Sequence, residues 1–406
     1  MFDHCRTRLA DRAFSIGSAF LIALAWASAA TAQESRADTI AQAQAEKARN
    51  LEPYRPGRAE EFVIGLKDGF LSSPSGLYPL FGSIYSGGGL AAGAGFRQYY
   101  GDNTFFDIKG LYSIRSYKWL EVSTDSIGLS RGRVSLHAAG GWRDLTQVAF
   151  YGLGPDTPNE GRVNFGLEER YVEAELDSRP LRLMVFSVGA GYEKYDSKRA
   201  RGKQPSIEDV FTPDTAPGIG EDPEFLHARG RVGLDWRPAS GYARKGGLYQ
   251  VQYHDYRDRD DRFSFNRLDT ELVQHLPIWR ERFILSLRGR MESVLDDGDL
   301  VPYFLLPSLG SGSTLRGYSS WRFRDRHSML LQAEWRWTPN RTGLDFAFFY
   351  DTGKVTARRA DLDFDGLKSD FGIGARFHGP AATPVRIELA RSDEGLRLVF
   401  GGSAAF

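Results

Sequence analysis

Residues 331–337 read LQAEWRW and residues 344–351 read LDFAFFYD. In the first run Leu331, Ala333, Trp335 and Trp337 share one parity, while Gln332, Glu334 and Arg336 share the other. In the second, Leu344, Phe346, Phe348 and Tyr350 oppose Asp345, Ala347, Phe349 and Asp351. Successive side chains of a strand point to opposite faces, so each run is a strand with one apolar and one largely polar face. A soluble sandwich alternates as well, with its apolar face inward. Here the second face carries long charged side chains, which suit a wet lumen. The apolar face ends in Trp, Tyr or Phe, which suit a lipid interface. Runs 371–378 and 385–391 repeat the pattern, with Arg376, His378, Arg386 and Glu388 on the polar side.

Outward from these runs the alternation defines about sixteen segments, each near the ten residues that cross a bilayer at a tilt. The first is expected at 88–100 and the last at 396–406, with 131–141 and 143–152 read as two separate strands. Connections alternate between short (178–180, 277–280, 380–383) and long (196–223, 294–327, 352–367). Short periplasmic turns and long external loops are the rule of outer-membrane barrels. The expected fold class is all-β, a transmembrane up-and-down antiparallel β-barrel of about 16 strands over residues 88–406. Loop 196–223, with Pro205, Pro213 and Pro217, is expected to be exposed and poorly structured.

The ends and the composition agree with an exported barrel. Arg6, Arg8 and Arg12 precede an apolar stretch from Ala13 to Trp26, and Ala30-Thr31-Ala32 fits a small-residue cleavage pattern. Residues 1–32 therefore read as a signal peptide, and 33–87 as a periplasmic leader that is partly helical. The one cysteine, Cys5, lies in the signal, which excludes disulfides and cysteine-ligated metal from the mature chain. With 52 basic and 52 acidic residues there is no charge excess to attract nucleic acid. The triplet Asp361, Asp363, Asp365 resembles the start of a calcium loop, but Gly372 stands where its bidentate glutamate belongs. The seven histidines show no metal-ligand spacing, and no serine sits in a nucleophile elbow. No cofactor, no metal and no enzymatic activity are expected.

The segment 308–327 contains Leu315-Arg316-Gly317-Tyr318. Glu334 follows on the next strand, then Phe349-Tyr350-Asp351-Thr352-Gly353, and the chain ends in a glycine-rich strand closed by Phe406. Taken in this order, these elements resemble the BamA/TamA superfamily of barrel-assembly and translocation proteins, the bacterial surface antigen family. The likeness covers roughly 88–406 and is best after residue 300. It implies that loop 294–327 folds back into the barrel and is held there by Arg316, Gly317, Tyr318, Glu334, Asp351 and Gly353. A loop of that length needs a tether. Arg316 offers a fork that matches carboxylates, and by alternation Glu334 and Asp351 both face the lumen. Gly317 would let the backbone turn, and Tyr318 would anchor it. The residues alone leave open whether Arg316 meets the two acids or stays in solvent; the resemblance implies that it meets them. With lumen water screening the charges, losing Arg316 is expected to cost on the order of 1–3 kcal/mol.

The same resemblance assigns Gly401 and Phe406 to the terminal signal by which barrel-assembly machinery recognises a client. Members carry periplasmic POTRA domains, for which residues 33–87 are too few, so a short POTRA-less member is implied. Small residues on the expected first strand (Gly88, Gly89, Ala92, Gly93, Gly95) and on the last (Gly401, Gly402, Ser403) would make a weak seam and a lateral gate. The implied place is the outer membrane of a Gram-negative bacterium, in contact with outer-membrane lipid. The implied function is assisting insertion, translocation or scaffolding of a protein or lipid client. The alternative is a passive channel or structural barrel; a homo-oligomer is left open.

Overall fold

The computed structural model describes Gln44, Glu46 and residues 75–406, apart from 102, 280, 297, 299, 340–342, 380–382, 384 and 403–405. The chain divides into two units, Met1–Lys67 and Asp68–Phe406. In the first, Gln44 and Glu46 are helical, within the segment read as the leader. The expected signal peptide lies outside the described residues.

The second unit is built from eighteen strands. They are β1 (Gly76–Gly82), β2 (Ala91–Gly101), β3 (Thr104–Ser113), β4 (Lys118–Gly128), β5 (Val134–Phe150) and β6 (Val163–Ser178). Next come β7 (Met184–Lys198), β8 (Glu224–Asp235), β9 (Gly246–Asp258), β10 (Phe265–Ile278), β11 (Phe283–Val294) and the two-residue strands β12 (Ser308–Leu309) and β13 (Phe323–Arg324). The last are β14 (His327–Trp337), β15 (Leu344–Thr356), β16 (Lys368–Phe377), β17 (Val385–Ser392) and β18 (Gly395–Gly401). All but β12 and β13 form one 16-stranded antiparallel sheet in chain order, and β12 pairs with β13 inside the sixth long loop. This is a transmembrane up-and-down β-barrel.

The expected strand number holds through two compensating differences. Segments 131–141 and 143–152 are one strand, β5, with a register shift between Leu145 and Val148. Its Gly141 makes room for packing: a Cβ there would lie 2.5 Å from the Tyr171 ring. Tyr171 uses that space to donate to Glu121 (2.6 Å) and accept from the Trp119 indole (3.0 Å). The strand missed by alternation is β1, placed by sequence in the leader. In sequence Pro74 and Gly76 read as a break, yet alternation runs on through Pro79, and proline is tolerated in a strand at the end of a sheet, where β1 lies. Leu77 and Phe81 point outward and Tyr78 inward, donating to Asp107 at 2.6 Å.

The extra strand overturns the expected seam. Gly93 and Gly95 lie on β2, which has β1 on one side and β3 on the other. A Cβ on Gly93 would meet the Gly110 carbonyl at 1.8 Å, so this glycine allows close strand approach rather than gating. Gly88 and Gly89 precede β2 in a turn packed on Tyr117 and Ile114. The sheet ends on β1 and β18, with Gly401 the last residue of β18 and Gly402 just beyond it; Ser403 lies outside the described residues.

The outward face is apolar. Leu331, Phe346, Phe348, Phe371 and Ile373 are exposed, and at the short-turn end Trp279, Phe283 and Trp335 form a chain of neighbouring rings. No helix among the described residues is long and apolar enough to cross a membrane; the strands carry the apolar band. The long-loop end is filled by an aromatic cluster, where Tyr303 and Phe304 of the sixth loop pack against Phe150, Phe165 and Tyr195. Loop 199–223 joins it, contrary to the expectation of a poorly structured segment. Ile207 and Ala216 are fully buried, and Ser206 and Asp209 cap a short 3-10 turn. Two apolar anchors among polar neighbours hold the loop inward.

The register gives a direct test. Phe81 and Ala92 are partners across β1 and β2, so a Phe81→Cys/Ala92→Cys pair should oxidise to a disulfide in most of the folded molecules, read as a gel shift reversed by reductant. Absence of the crosslink would remove β1 from the sheet.

Candidate functional site

The sixth loop leaves β11 and returns as β14, and its tip descends inside the barrel. Carbonyls of Gly312, Ser313 and Thr314 accept from Arg386 (2.8 Å), Arg288 (3.0 Å) and Gln332 (2.8 Å), all from the inner wall. These bonds satisfy backbone groups that no strand partner reaches. Leu315, Tyr318, Leu309, Phe323, Leu330 and Val355 form a small apolar core beneath the β12–β13 hairpin.

Between the tip and the wall lies Arg316, with 0% side-chain exposure. Its Nε and Nη2 donate to the two oxygens of Asp351 at 2.6 and 2.7 Å. Its Nη1 is shared between Glu334 (3.1 Å) and Glu388 (3.0 Å), and the Phe349 ring lies 3.5 Å beneath the guanidinium carbon. The family-implied partners Glu334 and Asp351 are therefore brought together on Arg316, from β14 and β15.

The sequence missed the rest of the network. Glu388 of β17 is a third acid. Arg376 of β16 bonds both oxygens of Glu334 and one of Glu388 (2.9 Å), while Arg386 bonds the other at 2.6 Å. Alternation had put Glu388, Arg376 and Arg386 on the lumen face. What it could not show is that β14 through β17 lie side by side, and that register sets Glu334, Phe349, Gly372 and Ala390 in one row.

The glycines act by size. Gly317 is not in a left-handed conformation; a Cβ there would lie 2.6 Å from Asp370 Cβ, so its role is close approach to β16 and not a sharp turn. Its carbonyl accepts from Ser392 at 3.0 Å. A Cβ on Gly353 would meet the Met329 carbonyl at 2.4 Å, with Leu309 of the loop close by. Tyr318 is buried and donates to the Ser369 carbonyl at 3.3 Å. Gly401 leaves room for Arg386, whose Nη2 would be 2.9 Å from a Cβ. Phe406 is not on the outer girdle: its ring is 6.4 Å from that of inward-facing His275, with Arg288 5.9 Å from its centroid. The discounted acidic triplet is met by a cation of the chain itself, Lys354, bonded to Asp363 at 2.5 Å.

Two further features could not be seen in sequence. His227 and His254, 27 residues apart, hydrogen bond at 2.9 Å on β8 and β9, between Glu193 and Asp269. Arg324, fully buried in the aromatic cluster, donates to the Tyr303 carbonyl at 3.0 Å and lies near the rings of Trp321, Phe150 and Phe165. Burial brings its guanidinium down to about 10, against the opposing pull of Tyr85 and Tyr303.

These two arginines should respond in opposite ways. Arg316→Ala leaves three buried acids short of a cation, and full burial removes the water screening assumed from sequence. The expected loss is about 3–5 kcal/mol, above the sequence-based figure. It should appear as a lower unfolding temperature and as tryptic cleavage after Arg322 or Arg326, with Arg316→Lys recovering part. Arg324 has no acid partner among the described residues, so Arg324→Met should keep stability within about 1 kcal/mol or raise it. Unchanged trypsin resistance in Arg316→Ala, or a large loss in Arg324→Met, would contradict these assignments.

No protein-family model matches the sequence, and no curated protein matches it. Among solved structures the chain is similar to BamA from Haemophilus ducreyi lacking POTRA domains 1–3, at 13% identity and TM-score 0.59, over 81% of this chain and 70% of that one. It is also similar to CdiB from Escherichia coli, at 12% identity and TM-score 0.51, over 81% of this chain but only 63% of that one, under two thirds of its length. At these identities the likeness is one of fold. With a single 16-stranded antiparallel sheet and a sixth loop locked inside it by a buried arginine, the chain has the BamA-type β-barrel fold.

Proposed function

We propose that the protein is an outer-membrane barrel of the assembly and translocation class, which acts without catalysis to insert, translocate or scaffold a protein or lipid client. The observation that carries this reading is the buried network of Arg316. A loop tied through the lumen narrows any passive path, and a machine that opens at its seam needs the remaining wall held rigid. Arg316, Glu334, Asp351, Arg376 and Glu388 tie loop six to strands β14 through β17. The sheet ends are slight by comparison: β1 and β18 have 7 residues each, against 17 and 16 in β5 and β6. Fewer ladder bonds make the two ends the easiest place to part. The apolar outer band and its aromatic ring support an outer-membrane place, with lipid as the constant partner. The chain's own insertion would depend on the barrel-assembly machinery.

The test uses the full chain in liposomes. Integration of an unfolded barrel client should be several-fold faster than in empty liposomes, and Arg316→Lys should lose most of that gain while still folding. Ionic conductance across planar bilayers should stay low, because the aromatic cluster blocks the long-loop end. Steady, large conductance with no effect on client integration would establish the passive channel instead.

A further inference from the structure

Most lumen arginines are neutralised by neighbours: Arg143 by Glu169, Arg229 by Glu173 and Glu175, Arg231 by Asp177. Besides Arg324, three more at the long-loop end have no carboxylate partner among the described residues. Arg115 sits in the turn between β3 and β4, Arg162 just before β6, and Arg397 on β18. All three line one cavity of about 70 Å³, together with Ser319 and Ser320 of the sixth loop and Gln147. Among the described residues none of the three pairs with a carboxylate. Arg162 reaches only the Asn164 side-chain oxygen (3.2 and 3.3 Å), and Arg397 only the Ser319 hydroxyl (3.1 Å). The neighbouring acid, Glu394, is held at 2.5 Å by Arg322, whose remaining donors bind Thr157.

Arg397 is partly buried and feels the charges of both Arg115 and Arg162, offset only in part by Glu394, which is already engaged by Arg322. Gathering three like charges around a partly enclosed space is unfavourable unless an anion completes it. The wall is rich in donors, with guanidinium groups, serine hydroxyls and an amide, and it holds no carboxylate. By the roughly 10–15 Å³ that one water occupies on the same measure, the cavity has room for several waters or for one small tetrahedral oxyanion. Guanidinium forks match phosphate oxygens bidentately. The flanking residues on the same segments point the other way, to the lipid face: Ile114 beside Arg115, Leu396 beside Arg397, and Leu90 across the turn, exposed by 77%, 64% and 69%. A cationic pocket edged by exposed aliphatic side chains, at the rim of the apolar band, matches a phosphorylated headgroup with its acyl chains alongside.

We propose that this cavity is a phosphate site that takes the headgroup phosphate of an outer-leaflet lipid, and that its occupant ties the first hairpins to the last strand. Arg397 comes from β18, while Ser86 and Gly87, also on the cavity wall, come from the turn after β1. The loop tip joins both sides, since the Trp321 indole donates to the Ser86 carbonyl at 2.9 Å. A bound phosphate therefore strengthens the outer end of the seam, and losing it loosens that end. The assignment does not depend on whether the barrel handles clients.

The experiment uses the full purified chain in a zwitterionic detergent at constant ionic strength set with chloride. The probes are inorganic phosphate, lipopolysaccharide, and lipopolysaccharide stripped of its phosphates. Phosphate should bind wild-type protein saturably in equilibrium dialysis and raise its unfolding temperature. Lipopolysaccharide should compete with it at several-fold lower concentration, and the dephosphorylated form should not. Arg162→Gln/Arg397→Gln, shown folded by its heat-modifiable gel mobility, should lose both responses. Wild-type dialysis alone decides the matter if that variant does not fold. Phosphate binding without competition from lipopolysaccharide overturns the lipid assignment and leaves a site for free phosphate. No saturable binding of either probe overturns the site.

Discussion

A guanidinium with no water contact must find its hydration replaced in full, and the placing of Arg316 inside the barrel sets much of what surrounds it. Stripping such an ion of water costs several kcal/mol even after relaxation, and a single partner rarely compensates. Here compensation comes from three strands at once, with a bidentate acid on β15, further acids on β14 and β17, and an aromatic face beneath. Those acids would in turn overload the site, and Arg376 and Arg386 balance them. The loop cannot leave without stranding all of these charges. Neither can a strand among β14 to β17 slip in register, because a shift of one residue would turn the acids toward lipid.

The lumen is thus organised in two chemically distinct layers. At the level of the loop tip, charges are buried, numerous and mostly paired with one another, while both carboxylate oxygens of Asp370 beside Gly317 lack a hydrogen-bond partner among the described residues. Toward the long loops the filling is aromatic, and Arg324 is the exception, carried among rings with a backbone carbonyl as its hydrogen-bond partner. The first layer confers register and specificity of loop position; the second excludes water by area. A loop that has to satisfy both is fixed at its tip and along its stem, which is why Gly310, Gly317 and Gly353 stand at points where a single methyl would strike backbone or a neighbouring side chain.

The two ends of the sheet contrast with this. Strand β1 is short and contains Pro79, and β18 is equally short. The contacts that bridge them come from the sixth loop, through Trp321 and Ser319, and from the uncompensated arginines beside it. The same loop that is tied to β14 through β17 therefore also contacts residues at both ends of the sheet.

Much of this was legible in the sequence. Strict alternation in 331–337 and 344–351 determined which residues face lipid and which face the lumen, because a strand has only two faces. The order Arg316-Gly317-Tyr318, Glu334, Asp351 implied the lock only through the family resemblance; the residues alone left Arg316 free to stay in solvent. Alternation failed where local chemistry imitates a break: Pro74 and Gly76 read as the end of a pattern where β1 begins, and residues 131–141 and 143–152 read as two strands where β5 is one. It also failed for the seam, since a glycine-rich run reads the same whether it gates or packs, and only the neighbour of Gly93 tells which. Partnership across the barrel was beyond the sequence altogether. That Glu388 and Arg376 complete the lock, that His227 meets His254, and that Arg115, Arg162 and Arg397 converge depends on which strands lie side by side and in what register. Register and closure are properties of the assembled sheet, in which residues far apart along the chain become neighbours about 5 Å apart.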